Sequence, residues 1–109
     1  MTGKDITSAN WLVYMILCND STLYTGITTD MARRWHQHKN QTGAKYFRGR
    51  APEQLVYLEF SDCRSSASQR EASLKKLNRT EKLELIKSTK NQVEQYDLAI
   101  LTNNINQLT

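Results

Sequence analysis

The sequence predicts a single compact α+β domain built from three strands and three helices. Three apolar runs rich in β-branched and aromatic residues have the length of strands, namely residues 11–17, 22–28 and 54–60. Three other segments have the period or the capping residues of helices, namely residues 31–40, 66–77 and 79–87. At 109 residues, the chain has the length of one ordinary domain with one core.

The first two strands are separated by the turn-forming residues Cys18 to Ser21, and this spacing predicts a β-hairpin. Each strand carries a tyrosine, Tyr14 or Tyr24, and a pairing shift of one residue would move it to the other face of the sheet. A three-residue loop would set the two tyrosines directly opposite each other. Tyrosines in strands also serve ordinary packing, so the sequence leaves open whether these two form a functional pair.

The first helix is predicted to begin after Thr29 and Asp30, which have the side chains of N-cap residues. On a helical period, Met31, Trp35 and His38 form one stripe that faces inward. His38 is therefore either a functional group or a satisfied, semi-buried histidine.

Two adjacent arginines of this helix are predicted to differ in orientation. Arg34 lies at the margin of the inward stripe, one turn before His38, and can reach the seam between helix and sheet. Arg33 points about 100° further from the stripe, toward solvent or more remote phosphates.

The segment from Met31 to Pro52 is basic and contains no Asp or Glu. Its cations are Arg33, Arg34, Lys39, Lys45, Arg48 and Arg50. Clustered Lys and Arg gain affinity from nucleic-acid backbones by releasing counterions, although such a stretch is also typical of a solvated basic face. Within it, Tyr46 and Phe47 suit contacts with exposed bases or pin the loop to the core.

The second helix is predicted to open with a capping box formed by Ser66 and Gln69. Its apolar stripe contains Ala67 and Leu74, with Glu71 between them. An unpaired buried carboxylate is costly and is normally neutralised by a cation, a metal ion or protonation. Glu71 is thus either paired, with Arg70 or Lys75 as the candidate partner, or functional.

The rest of the chain excludes several classes of protein. The two cysteines, Cys18 and Cys63, match neither a disulfide framework nor a zinc pattern, and we expect reduced thiols near the core. No apolar run approaches the roughly 20 residues of a membrane span, and the first ten residues do not resemble a signal peptide. We therefore expect a soluble cytoplasmic protein, and the net charge of +4 favours an anionic partner.

The order and spacing of several residues resemble the GIY-YIG nuclease superfamily, especially its small, single-domain, YhbQ-like bacterial branch and also the Slx-type GIY-YIG domain. The residues that carry the resemblance are Leu12-Val13-Tyr14, Tyr24-Thr25-Gly26, Arg34, His38 and Glu71. Leu12 and Val13 replace the first Gly-Ile of the family, and Asn78 is a candidate for an asparagine that family members often carry. The resemblance covers residues 10–87, with a lead-in of residues 1–9 and an extension of residues 88–109.

The resemblance implies a three-stranded antiparallel sheet flanked by helices and a metal-dependent endonuclease that hydrolyses phosphodiester bonds. Glu71 would hold one Mg²⁺ or Mn²⁺, and Arg34 would offer a cationic fork to the scissile phosphate. Tyr14, Tyr24 and His38 would orient or deprotonate water and position the phosphate. Which of these three is the general base stays open.

The implied partner is DNA, with branched or single-stranded regions favoured over a particular sequence. Candidate contacts are Gly26, Arg33, Lys39, Lys45, Arg48 and Arg50. Gly26 would allow close approach of substrate or backbone, or mark a bulge. One competing hypothesis is a catalytically silent nucleic-acid-binding module that keeps the fold.

A third hypothesis is an interaction domain that uses the C-terminal extension. In that extension Val93, Tyr96, Ile100 and Leu101 have the spacing of one amphipathic helix. The helix would cover the core or form a homodimer with another subunit.

Overall fold

The structure is a computed structural model and describes residues 11–42 and 44–96. Its elements, in chain order, are β1 (Trp11–Cys18), β2 (Leu23–Thr28), α1 (Met31–Lys39), a 3₁₀ turn (Lys45–Phe47), β3 (Pro52–Ser61), α2 (Arg64–Lys75) and α3 (Arg79–Ile86). The three strands form one antiparallel sheet in the order β2-β1-β3. The α+β class and the antiparallel sheet flanked by helices are confirmed.

The central strand β1 is buried on both faces, which explains its continuous apolar run. Because successive side chains point to opposite faces of a strand, Leu12, Tyr14 and Ile16 pack with the residues of α1 and the 3₁₀ turn. Val13 and Met15 pack on the other side with the residues of α2. We call these two sides of the sheet the α1 face and the α2 face.

Helix α1 begins where the sequence predicts. The Asp30 side chain is the N-cap and accepts a hydrogen bond from the Arg33 backbone N–H at 3.1 Å. Met31 and His38 are buried and Trp35 packs against the same core, so the inward stripe is confirmed.

The predicted N-cap of α2, Ser66, is wrong by three residues. The N-cap is Cys63, and Ser66 occupies the third helical position, where its Oγ accepts a hydrogen bond from the Cys63 backbone N–H at 3.4 Å. A serine hydroxyl serves either end of a capping box, so residue type did not distinguish the two positions. Cys63 is consequently exposed, whereas Cys18 lies in the core as expected.

Helix α2 also ends earlier than predicted, at Lys75, because Asn78 begins the next helix. The Asn78 side chain accepts a hydrogen bond from the Glu81 backbone N–H at 2.8 Å, and Glu81 returns one to the Asn78 backbone N–H at 2.9 Å. This reciprocal cap occupies the asparagine that the sequence offered as a candidate site residue.

The first part of the C-terminal extension covers the core. Side chains of Asn91 and Gln92 accept hydrogen bonds from backbone N–H groups of β3, an edge strand, at 3.2 and 3.0 Å. Residues 93–96 are helical, and Val93 and Tyr96 pack on the α1 face. Ile100, Leu101 and the lead-in of residues 1–9 lie outside the described residues, and a homodimer through the extension stays a prediction.

None of the helices in the described ranges has both the length and the hydropathy that crossing a membrane requires.

Candidate active site

The hairpin places Tyr14 and Tyr24 together on the α1 face. Tyr14 pairs with Gly26, and Tyr24 pairs with Ile16, so the tyrosines are diagonal neighbours with ring centroids 6.1 Å apart. The directly opposite arrangement of a three-residue loop does not occur, because the last strand pair is Leu17 with Leu23. The two rings nevertheless share a face.

Gly26 makes room for Tyr14. A Cβ at Gly26 would lie 2.6 Å from the Tyr14 hydroxyl oxygen and 3.0 Å from Cε2 of Tyr24. The strand pairing is regular at this point, so Gly26 is not a bulge. The close approach that the sequence suggested is therefore made by a tyrosine side chain.

Tyr14 forms a buried hydrogen bond with His38, and the Oη to Nε2 distance is 2.7 Å. Both residues are fully buried. The ring of Phe47 lies on His38 with centroids 4.2 Å apart, and Tyr24 meets the imidazole edge-on at 5.2 Å. The histidine thus joins the two tyrosines and the 3₁₀ turn in one cluster.

Burial sets the charge states of this pair. Burial and then the positive charge of Arg34 lower the pKa of His38 to about 4, so its imidazole is neutral at pH 7. Burial raises the pKa of Tyr14, although Arg34 opposes this. A protonated phenol therefore faces a neutral imidazole, and in the Nδ1-protonated tautomer Tyr14 donates to Nε2. Nδ1 of His38 has no hydrogen-bond partner among the described residues.

The sequence predicts that Arg34 reaches the seam between helix and sheet, and its half-buried guanidinium interacts there with the hydroxyls of Tyr14 and Tyr24. Its Nη1 donates to Oε1 of Gln37 at 2.9 Å, while its buried Nε has no partner among the described residues. Burial lowers the pKa of Arg34, but the hydroxyls of Tyr14 and Tyr24 outweigh it and the net pKa is raised. Sequence reasoning missed Gln37, although its spacing of three residues from Arg34 is the spacing of helical neighbours.

A groove opens from Arg34 toward solvent at the junction of β2 and α1. Arg33 and Arg34 line it together with Gln37, while Trp11 and Ile27 contribute apolar surface. Arg33 is exposed, as expected. The groove therefore combines two cations with an aromatic side chain and one carboxylate, Asp30.

The segment from Lys45 to Arg50, called here the basic loop, is attached to the core by its two aromatic side chains. Phe47 is fully buried and Tyr46 packs against the core, so both rings pin the loop. Arg50 is held by Asp20, with Nε to Oδ2 at 2.6 Å, and lies over the ring of Tyr46. The remaining candidate contacts Lys39, Lys45 and Arg48 are exposed.

Glu71 lies on α2 and is half-buried. Its carboxylate pairs with Nζ of Lys75 at 3.3 Å, while Arg70 pairs instead with Glu59 at 2.9 Å. Helix α2 packs on the α2 face, so the sheet lies between this helix and His38 on the α1 face. The structure thus brings Tyr14, Tyr24, Arg34 and His38 together, and it records no contact between Glu71 and these four.

Comparison with known proteins shows a matching protein family and several similar proteins. Residues 10–84 match the GIY-YIG catalytic domain, and this span contains all five residues implied by the resemblance. A UPF0213 protein of Clostridium perfringens is 46% identical over 88 residues, which are 81% of this chain and 95% of the relative. One from Desulfotalea psychrophila is 49% identical over 80 residues, covering 72% of this chain and 73% of the relative.

A solved structure also matches. The solution NMR structure of a UPF0213 protein from Bacillus halodurans is 37% identical, covers 77% of this chain and 89% of its own, and aligns with a TM-score of 0.49.

Proposed function

Because the chain belongs to the GIY-YIG family, we propose that it is a metal-dependent endonuclease that hydrolyses phosphodiester bonds in DNA. The observation that carries the proposal is the cluster of the Tyr14–His38 hydrogen bond with Tyr24 and Arg34. Such a cluster suits a reaction that must move a proton and stabilise the additional negative charge that develops on a phosphodiester when water attacks it.

Arg34 is the phosphate-binding residue in this proposal. Its guanidinium is half-buried, fixed on one side by Gln37, and has a free buried Nε among the described residues. A planar cation with unused donors suits the non-bridging oxygens of the scissile phosphate. Because it is already fixed, little reorganisation is needed as charge develops in the transition state.

The tyrosines and His38 handle the proton. Water attacks phosphorus, the bond from phosphorus to the 3′ oxygen breaks, and the 3′ oxygen leaves. The proton of the water passes to Tyr14 Oη as the proton of Tyr14 moves to the neutral Nε2 of His38, a transfer that requires substrate binding to admit water to the buried Tyr14. Tyr24 is half-buried and is the tyrosine that substrate can contact without rearrangement of the core.

Glu71 is the proposed ligand for Mg²⁺ or Mn²⁺. The part of the chain that the structure describes contains no group of three metal-binding side chains, and the Glu71 side chain keeps 23% exposure. One carboxylate fits a hard cation that retains several waters and takes further oxygens from a substrate phosphate. When bound, such an ion lowers the pKa of water and stabilises the leaving oxygen. Without the ion, the Lys75 ammonium pairs with the Glu71 carboxylate.

We propose that the substrate is selected by shape. The groove at the junction of β2 and α1 offers cations and an aromatic ring, which suit a backbone with unstacked bases. Among the described elements, the basic loop includes just one short helical turn, so it provides no long helix for reading bases in the major groove. Branched or single-stranded DNA, whose backbone bends, is therefore favoured over one duplex sequence.

A matched pair of arginine variants tests this function. Arg34→Ala should lower turnover by about two or more orders of magnitude, since it removes a transition-state charge. Arg33→Ala should weaken binding and reduce the slope of log affinity against log salt by about one. Equal effects of the two variants on turnover would contradict the assignment of Arg34 to the phosphate.

A further inference from the structure

We propose that Arg50 is a positioning residue, which together with Asp20 holds Tyr46 against Tyr24, and is not a contact for the DNA backbone. This inference rests on the proposed nuclease function. It assigns a role in the site to a cation that composition alone would place on the phosphate-binding surface.

The guanidinium of Arg50 is engaged on three sides. Its Nε donates to Oδ2 of Asp20 at 2.6 Å, and its Nη1 donates to the backbone carbonyl of Tyr46 at 3.1 Å. Its Cζ lies 4.2 Å from the centroid of the Tyr46 ring. One side chain thus fixes both the backbone and the ring of Tyr46.

Asp20 is itself fixed in the turn between β1 and β2. Its Oδ1 accepts hydrogen bonds from the Thr22 backbone N–H at 3.1 Å and from the Thr22 hydroxyl at 2.6 Å. The bond from the Thr22 hydroxyl, then the bond from Arg50 and then the bond from the Thr22 backbone N–H lower the pKa of Asp20 to about 2. The carboxylate therefore stays charged at any pH at which the protein would work.

A second link joins the same two segments. The Asn19 backbone N–H donates to the Ala51 carbonyl at 2.9 Å, and the Ala51 N–H donates to Oδ1 of Asn19 at 3.0 Å. The end of the basic loop is thereby attached to the hairpin turn, whose following strand carries Tyr24. The bonds between Asn19 and Ala51 therefore hold the end of the loop beside the hairpin turn, and the pair of Arg50 and Asp20 fixes Tyr46 within that loop.

Packed rings continue from Arg50 to the catalytic cluster. Tyr46 lies 5.0 Å from Tyr24 and 5.6 Å from Phe47 between ring centroids, and Phe47 lies on His38 at 4.2 Å. A loop that shifts at Arg50 would release Tyr46 from Tyr24. Misplacement of a reacting group by about 1 Å can cost about a hundredfold in rate.

Arg48 provides the contrast on the same loop. It is exposed, and within the described residues its side chain forms no hydrogen bond or ion pair. A phosphate could bind Arg48 through its whole guanidinium fork, whereas at Arg50 the Nε–H is already donated to Asp20 and Nη1 to the Tyr46 carbonyl, so a bidentate phosphate contact through Nε would displace Asp20. Arg48 therefore belongs to the electrostatic surface and Arg50 to the scaffold of the site.

The test compares Arg50→Ala, Arg50→Lys and Asp20→Asn with Arg48→Ala in steady-state cleavage of a flap DNA. The Arg50 and Asp20 variants should lower kcat about tenfold or more. The salt slope, which is the slope of log DNA affinity against log salt concentration measured in EDTA, should not change in these variants. Arg50→Lys should not restore kcat, because an ammonium keeps the charge but not the fork. Arg48→Ala should act on KM and reduce the salt slope by about one.

NMR spectra of the same variants give a readout that does not need activity. Release of Tyr46 should shift the ring protons of Tyr24 and His38 in Arg50→Ala and leave them in place in Arg48→Ala. A wild-type protein that cuts nothing would refute the nuclease function, while these shifts with an unchanged salt slope would still support positioning. A salt slope reduced by about one, with unchanged Tyr24 resonances, or rescue of kcat by Arg50→Lys, would overturn the proposal.

Discussion

The hydrogen bond between Tyr14 and His38 joins two fully buried polar side chains, and one of its partners is incompletely satisfied. A buried nitrogen without a hydrogen-bond partner costs about 1–3 kcal/mol in general. Nδ1 of His38 is such an atom within the described part of the chain. An apolar residue at this position would leave the buried Tyr14 hydroxyl without its partner, so the imidazole satisfies Tyr14 while its own Nδ1 stays unsatisfied within the described residues.

The pH dependence of stability tests the charge state of His38. Its pKa is about 4 in the folded protein and about 6.5 in an unfolded chain. Between these values the unfolded state binds the proton, so stability is full above about pH 6.5 and falls toward pH 4. At pH 4.5 the loss attributable to His38 should be about 2 kcal/mol relative to pH 7.5.

Urea melts at the two pH values measure this loss. His38→Gln should show a smaller loss between pH 7.5 and 4.5 than the wild type, since the titrating group is gone. His36→Gln, which changes an exposed histidine of the same helix, should behave like the wild type. Identical losses in all three proteins would mean that His38 is not buried as a neutral imidazole.

Gly26 offers a second test at the scale of one residue. In Gly26→Ala the new methyl group would overlap the Tyr14 hydroxyl, 2.6 Å away, and Tyr14 is held in place by His38. Overpacking of this kind costs about 1–3 kcal/mol, and turnover should fall because Tyr14 moves.

Gly49→Ala is the matched control for this substitution. Gly49 has φ +82, and no atom of the described residues lies within 4 Å of its added Cβ. Its cost of about 1–2 kcal/mol comes from the left-handed backbone alone, so the resonances of Tyr14 should not change. Wild-type stability and turnover in Gly26→Ala would contradict the packing of Tyr14 over Gly26.

At the scale of elements, the sequence predicts local periods well and long-range pairing poorly. The stripe of Met31, Trp35 and His38 follows from 3.6 residues per turn and is confirmed. The register of Tyr14 with Gly26 depends on the hairpin turn, whose length the turn residues do not determine.

Other parts of the site depend on contacts between residues distant in sequence. Arg50 and Asp20 are 30 residues apart, and the contact of Phe47 with His38 depends on how the loop folds back. No helical or strand period reports such a contact. The sequence shows that the loop is basic, but it does not show that Arg50 pairs with Asp20 while Arg48 is exposed.

The proposed metal ligand, Glu71, lies on helix α2 and can be tested by substitution. Glu71→Gln should abolish metal-dependent cleavage with little change in melting temperature, because a surface pair at this spacing is worth about 0.3–0.5 kcal/mol. Lys75→Ala breaks the same ion pair, at 3.3 Å, but keeps the carboxylate and should keep cleavage. A marked loss of stability in Glu71→Gln with cleavage preserved would show that the carboxylate is structural.

At the scale of the whole molecule, the sheet separates the cluster of Tyr14 and His38 on the α1 face from helix α2, which carries the proposed metal ligand Glu71, on the α2 face. The α1 face holds the tyrosines, His38 and the basic loop, and the net charge of +4 favours an anionic partner over the whole surface. Edge strand β3 is covered by Asn91 and Gln92, while the groove with Arg33 and Arg34 lies beside the other edge strand, β2. DNA is therefore expected to approach at the β2 edge.

The most direct test of nuclease function is cleavage of labelled DNA structures with Mg²⁺, Mn²⁺ or EDTA present. The panel should contain a plain duplex, a nicked duplex, a flap, a four-way junction and a single strand. We expect the wild type to cut branched or single-stranded substrates with either metal and to cut none in EDTA, and Tyr14→Phe to bind DNA equally well without cutting. Salt-dependent binding of every substrate, with none cut in either metal, would contradict the account and identify a silent nucleic-acid-binding module.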